Sequence, residues 1–314
     1  MKKTILSLAF AVLMSGSALA DGKIGVSMAL FDDNFLTVLR NGIDAKGKEL
    51  GVEVQIEDAQ NDVAKQLEQI KNFAASGVSA IIVNPVDTSA TQAMTDAAAA
   101  AKVPLVYVNR QPINVDTLPD GQAFVASNEV DSGTLETKEI CRLLKEAGKT
   151  EANVYVMMGE LSNQAAVQRT KDIHDVMAGP DCGVKLNIVD EQTANWSRDQ
   201  AQNLMNNWIS SGKAYDAVIA NNDEMAIGAI QAMKAAGVDM KTMIVGGVDA
   251  TQDALAAMAA GDLDATVFQN AAGQGAGALD AAIKLSKGEA VEKKVYIPFE
   301  LVTPANLANY QKKN

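Results

Sequence analysis

The chain holds a single histidine, His174, and only two cysteines, Cys141 and Cys182, in 314 residues. A metal centre needs more nitrogen and sulfur ligands than that, so no metal and no cofactor are expected. His174 lies in TKDIHDVM with no serine or cysteine pattern around it, which reads as a surface-helix histidine rather than a general base. No GxGxxG follows the first apolar run, GVSMALFDD, and no Walker sequence occurs, so a nucleotide-binding Rossmann site has no support. Positive charge is short as well. There are 27 Lys and Arg against 39 Asp and Glu, a formal charge of −12, which disfavours nucleic acid and anionic membrane as partners. Beyond residue 20 no segment is long and apolar enough to span a bilayer.

The chain opens with MKKTILSLAFAVLMSGSALA. Two lysines, an apolar run and small residues at Ala18 and Ala20 read as a secretory leader over residues 1–20, cut before Asp21. No cysteine follows the apolar run, so a lipid anchor is not expected. Removing 20 of 314 residues leaves 294, enough for two domains. The leader carries two lysines and no acid, so the charge moves from −12 to −14. In an oxidising compartment Cys141 and Cys182 either pair or remain as two buried thiols; their spacing does not choose.

From residue 23 onward short apolar runs alternate with amphipathic stretches. KIGVSMAL, VEVQIEDA, SAIIVNP and VPLVYVN read as strands, separated by helical segments that end at Gly51 and Gly77. The grammar restarts at DSGTLETKEICRLLKEAG and continues through ANVYVMMG, VKLNIVDEQ, YDAVIAN, KTMIVGGVD and LDATVFQN. Runs apolar on both faces, alternating with helices, predict parallel sheets covered by helices. The stretch QNDVAKQLEQIKNFAASGVSAIIVNPVD resembles ANWSRDQAQNLMNNWISSGKAYDAVIANND, with Asn84 and Asn221 at matching places. Two similar α/β lobes are therefore expected.

In open parallel sheets ligands bind beyond the carboxyl ends of the strands. The residues collected there are Asp33, Phe35, Asn84, Asn109 and Arg110 in the first half, and Arg169, Trp196, Asn222, Asp249 and Gln269 in the second. Carboxylates accept hydrogen bonds, guanidinium groups donate them, and amides do both. Adjacent hydroxyls on a ring match such groups bidentately, and charge-assisted bonds of this kind are strong. Phe35 and Trp196 could cover the apolar faces of a ring. The set suits a small neutral polyol or sugar. One acid of the Asp32–Asp33 pair is expected to start the next helix. That role is assigned to Asp32, leaving Asp33 for the ligand. The same acids could also serve a glycosidase, with Asp33 and Asp249 as the pair. Arginine neighbours would lower their pKa values, which is wrong for a general acid.

The strings DDNF, VNPVD, YVNRQP, ANNDEMAIGA and VGGVDAT resemble the strand-end signatures of periplasmic sugar-binding proteins of ABC transporters, in the ribose/galactose-binding group. The resemblance covers the chain beyond its leader. It implies an α/β fold of two doubly wound parallel-sheet lobes joined by a three-strand hinge. The crossings are expected near residues 127, 270 and 300, giving one lobe from 21–127 plus 271–300 and a second from 128–270 plus 301–314. It implies a non-catalytic periplasmic receptor that closes on a ligand, hands it to a membrane ABC permease and, as a monomer, also informs a chemoreceptor. Asp33 would take ring hydroxyls, Phe35 and Trp196 would press on opposite ring faces, and Arg169 with Asp249 would form a donor–acceptor pair. DDNF is similar to the glucose/galactose binders, whereas SNQAAVQRT is similar to ribose binders. Asn109 stands where ribose binders carry aspartate, and no calcium loop is apparent. The mixture looks most like the inositol- and rhizopine-binding members. Galactose, glucose or ribose binding, and a periplasmic sugar-acting enzyme, are the alternatives. A sugar-responsive transcription regulator would need a DNA-binding segment where the leader stands.

Overall fold

The computed structural model describes residues 22–313; the leader lies outside the described residues. The first half builds β1 (Ile24–Met28), α1 (Asn34–Leu50), β2 (Val54–Asp58), α2 (Val63–Ser76), β3 (Ala80–Val83), α3 (Thr91–Ala101), β4 (Leu105–Val108) and β5 (Gln122–Ala126). The second builds α4 (Glu129–Glu146), β6 (Glu151–Met158), α5 (Gln164–Ala178), β7 (Lys185–Thr193), α6 (Arg198–Ser210), β8 (Ala217–Ala220), α7 (Asp223–Ala235), β9 (Ile244–Gly246), α8 (Gln252–Ala260) and β10 (Thr266–Phe268). Then come α9 (Ala271–Ser286), β11 (Lys294–Tyr296) and β12 (Glu300–Val302).

Two sheets result. The first is wholly parallel, in the order β2-β1-β3-β4-β5-β11. The second runs β7-β6-β8-β9 in parallel, is continued by parallel bridges to β10 at Gly246–Ala265 and Asp249–Phe268, and closes with antiparallel β12. The strand permutation is the same in both, so the internal repeat is architectural. Three strands, β5, β11 and β12, do not stand out in the sequence. β11 and β12 are three-residue edge strands, and no α-helix separates β5 from β4 or β12 from β11.

Each sheet is covered on both faces. Successive residues of β3 point alternately to opposite layers: Ala80 and Ile82 meet the layer of α1 and α9, and Ile81 and Val83 meet that of α2 and α3. In the second sheet α4 and α5 cover one face and α6, α7 and α8 the other. This double cover explains why the central strands are apolar throughout. Cys141 on α4 and Cys182 beyond α5 form a disulfide across a separation of 41 residues. Closing a loop of that length removes about 4 kcal/mol of chain freedom from the unfolded state on the entropic model.

The chain passes between the sheets three times: from β5 to α4, from β10 to α9, and from β11 to β12. Between these passages the carboxyl ends of the two sheets face one another.

Candidate functional site: a polar cavity between the sheet ends

A cavity lies where the strand ends meet, with about 420 Å³ of space unfilled by protein atoms, open solvent at its mouth included. Its wall includes nine of the ten residues singled out from the sequence: Asp33, Phe35, Asn109, Arg110, Arg169, Trp196, Asn222, Asp249 and Gln269. Asn84 is the exception. It is fully buried behind the wall, where its Nδ2 donates to Val108 O (3.2 Å) and Asn109 Oδ1 (3.3 Å) and its Oδ1 accepts from Ala29 N (3.4 Å). Asn84 therefore clamps strand ends and positions Asn109. Three further polar or charged contributions were not anticipated. Glu129 and Asn163 line the cavity, and Glu160 stands at its mouth.

Helix starts set several of these side chains. Asp33, not Asp32, caps α1: its Oδ1 accepts from Leu36 N at 2.8 Å. Asp32 is exposed. Capping occupies one carboxylate oxygen, so Asp33 both starts the helix and faces the cavity. Asn222 does the same for α7, accepting from Met225 N at 3.0 Å. Asn109, Asp249 and Trp196 all have positive φ, 65°, 125° and 62°, a region costly for residues with a side chain. The strain aims them inward from the ends of β4, β9 and β7. Trp196 lies against Gly159, where any Cβ would come within 2.2 Å of the indole ring. Gly159 is thus the residue that leaves room for the ring.

Arg169, on α5, is the electrostatic centre. Its Nε donates to Glu129 Oε2 (2.8 Å), Nη2 to Glu129 Oε1 (3.2 Å) and Gln269 Oε1 (3.3 Å), and Nη1 to Asn221 O (2.7 Å). Asp249 Oδ1 lies 4.0 Å from Nη1. Arg169 and Glu129 are only 4% and 5% exposed. Truncating Arg169 would strand a buried carboxylate, so Arg169→Ala is expected to damage the fold as well as the site. In the opposite wall Arg110 Nη1 donates to Pro85 O (3.0 Å), and its Nη2 lies 4.0 Å from Glu160 of the other lobe.

The carboxylates depart from the sequence-based expectation of lowered pKa. Burial pushes Asp33 up, with the Leu36 N–H and Arg110 only partly opposing it. Burial pushes Asp249 well up despite Arg169, and Asp223, Asp33 and Glu129 add to the rise. Arg169 is shifted up: burial works against its charge, but Glu129, Asp249 and Glu136 outweigh it. Arginine neighbours do not decide the matter because desolvation of a fully enclosed carboxylate is the larger effect.

Direct hydrogen bonds link the two walls. Thr88 N and Oγ1 donate to Ser162 O (3.1 and 3.0 Å), and Gln164 N donates to Thr88 Oγ1 (3.1 Å). Asn34 Nδ2 reaches Glu224 Oε1 (2.8 Å), and Asn61 Nδ2 reaches Glu160 Oε1 (3.0 Å). A deep polar cavity gripped by two covered parallel sheets defines a two-lobed solute receptor.

The chain belongs to the periplasmic binding protein family, whose domain model matches residues 24–290. A Rhizobium meliloti protein provisionally named a rhizopine-binding protein is 65% identical over the full length of both chains. An ABC transporter solute-binding protein from Bacillus halodurans, solved with bound myo-inositol, superposes with a TM-score of 0.86 at 39% identity, covering 94% of this chain and 99% of that one. The myo-inositol-binding protein of Caulobacter, also solved with myo-inositol, gives 0.83 at 31% identity over 92% and 95%. With the family come a non-catalytic transport role and a periplasmic location.

Proposed function

We propose that this protein captures a six-membered polyhydroxylated ring, myo-inositol or an amino-inositol such as rhizopine, and delivers it to an ABC permease. The observation that carries this reading is the composition of the cavity wall, in which carboxylates, guanidinium groups and amides are gathered with two aromatic residues, Phe35 and Trp196. Asp33 takes ring hydroxyls with the oxygen its capping bond leaves over. Phe35 and Trp196 cover opposite ring faces. Arg169 and Asp249 engage neighbouring hydroxyls, with Asn222 and Gln269 completing the second wall and Asn109 and Arg110 the first. Asn84 acts through Asn109. The passages near residues 127, 270 and 300 serve as the hinge. A ligand touching both walls favours the closed arrangement by its differential affinity for it. Docking to a chemoreceptor and a monomeric state belong to the same reading.

Calorimetric titration with myo-inositol, amino-inositols, galactose, glucose, ribose and xylose tests it. The cyclitols are expected to bind tightest, and a ribose or galactose optimum would replace this reading with a sugar-binding one. Trp196→Ala should weaken cyclitol binding about tenfold, the loss of a buried aromatic anchor. Unchanged affinity would remove Trp196 from the site.

A further inference from the structure

We propose that helix α5, which carries Arg169, is capped from the opposite lobe by Thr88, so that closing the cleft completes a helix end as well as a binding site. The claim holds for whichever ring the cleft takes. The first observation is the start of α5. Helices α1, α2, α6, α7, α8 and α9 are each preceded by a residue whose own side chain accepts from a backbone N–H of the first turn. Helices α3, α4 and α5 are not. The residue before α5 is Asn163, a type well suited to capping, yet its side chain makes no capping bond. Its Nδ2 donates to Glu160 Oε2 at 3.0 Å, and the residue lines the cavity. The amide that would cap the helix is thus committed to the wall.

The second observation is what stands in its place. Gln164 N, the first backbone donor of α5, donates to Thr88 Oγ1 at 3.1 Å. Thr88 lies between β3 and α3, in the first lobe. The same hydroxyl donates to Ser162 O at 3.0 Å, and Thr88 N donates there at 3.1 Å. Within its own lobe the Thr88 carbonyl accepts from Ile113 N at 3.0 Å and from Thr91 Oγ1 at 2.9 Å, which fixes the backbone that presents the hydroxyl. Opening the cleft parts the two lobes and returns the Gln164 N–H to the orphan donors of a helix start. The links Asn34–Glu224 and Asn61–Glu160 join exposed side chains, where water offers nearly equal partners. Thr88 is 6% exposed, so its bonds contribute more to closure. None of Thr88, Ser162 and Gln164 lines the cavity, so that contribution is the same for every ligand.

The test is calorimetry and stopped-flow release on Thr88→Val and Thr88→Ser, with myo-inositol and scyllo-inositol as probes. If the cyclitol reading fails, galactose and glucose replace them and the same comparison is read. Thr88→Val keeps the shape and removes the hydroxyl. It should raise Kd about fivefold, the loss of one helix cap, chiefly through faster release. The factor should be equal for both probes, because a change in the closing equilibrium scales every apparent affinity alike. Thr88→Ser should restore the wild-type values. An unchanged Kd in Thr88→Val, a shifted ratio of the two affinities, or a serine variant as weak as the valine one each overturns the inference. Amide hydrogen exchange on the wild-type protein decides it even if a variant fails to fold. Ligand should slow exchange at the Gln164 N–H at least about tenfold, and an unaltered rate overturns the capping claim.

Discussion

The two lobes share a frame and differ in what fills it. At the end of β3, Asn84 Oδ1 accepts from Ala29 N; at the end of β8, Asn221 Oδ1 accepts from Gly159 N at 3.1 Å. After β2, Gln60 and Asn61 adopt positive φ ahead of the capping Asp62; after β7, Asn195 and Trp196 do so ahead of the capping Ser197. Behind these matching turns the chemistry diverges. The first lobe holds a neutral network: Ser27 Oγ donates to Gln69, and Gln66 Nε2 donates to Ser27 Oγ and Asn84 O while its Oε1 accepts from Val86 N. The second holds a charged one, in which Arg169 rather than glutamine donates to the asparagine carbonyl, and Glu129, Glu136, Asp223 and Asp249 are all buried around it. Repetition conserved the geometry that points strand ends at a ligand. The chemistry of the supporting layer was free to differ, and the second lobe carries most of the buried charge.

The largest effect expected from breaking this contrast is in the charged lobe. Arg169→Ala leaves Glu129 buried without its partner and should cost about 3–5 kcal/mol, read as a lowered midpoint in urea unfolding. In the neutral lobe Gln66→Leu leaves the Val86 N–H and the Asn84 carbonyl short of a partner and should cost about 1–3 kcal/mol. A loss there as large as that of Arg169→Ala would erase the distinction.

A third effect is a dependence on pH. Burial pushes the carboxyls of Asp172 and Asp223 up to about 7 from an ordinary value of 3.8. The folded second lobe thus holds these protons more tightly than the unfolded chain does. The stabilisation is complete below the unfolded pKa and is lost as pH rises through about 7. Asp223→Asn should flatten the fall in stability between those limits, and an unaltered slope would contradict the assignment.

Much of this was legible in the sequence. The βα alternation, the helix-ending glycines and the matched Asn84 and Asn221 were all local signals, and strand-end position, with Arg169 just inside the helix that follows, gathered nine residues that line one cavity. What escaped depended on separation in space. Glu129 sits on a helix 40 residues from Arg169 in the chain, and no spacing rule joins them. Asn163 lies in SNQAAVQRT, a string noted for its likeness to ribose binders, yet only its Arg169 was singled out as a site residue. Asp32 and Asp33 both precede the same helix, and only backbone geometry selects which one caps it. Asn84 occupied the right strand end but lies one layer too deep.

The three passages between the sheets also govern the order in which the molecule can be finished. Helix α9 supplies Ala278, Leu279, Ala282 and Ile283 to the core that contains Ile24, Val26 and Met28 of the very first strand. The second lobe, apart from β12 and the tail, is one unbroken stretch of chain. A chain delivered from its amino end therefore presents the first lobe with its apolar face uncovered until residue 286 arrives. The lobe that emerges earliest is the one completed late, and the surface it leaves open meanwhile is where protection from aggregation matters most.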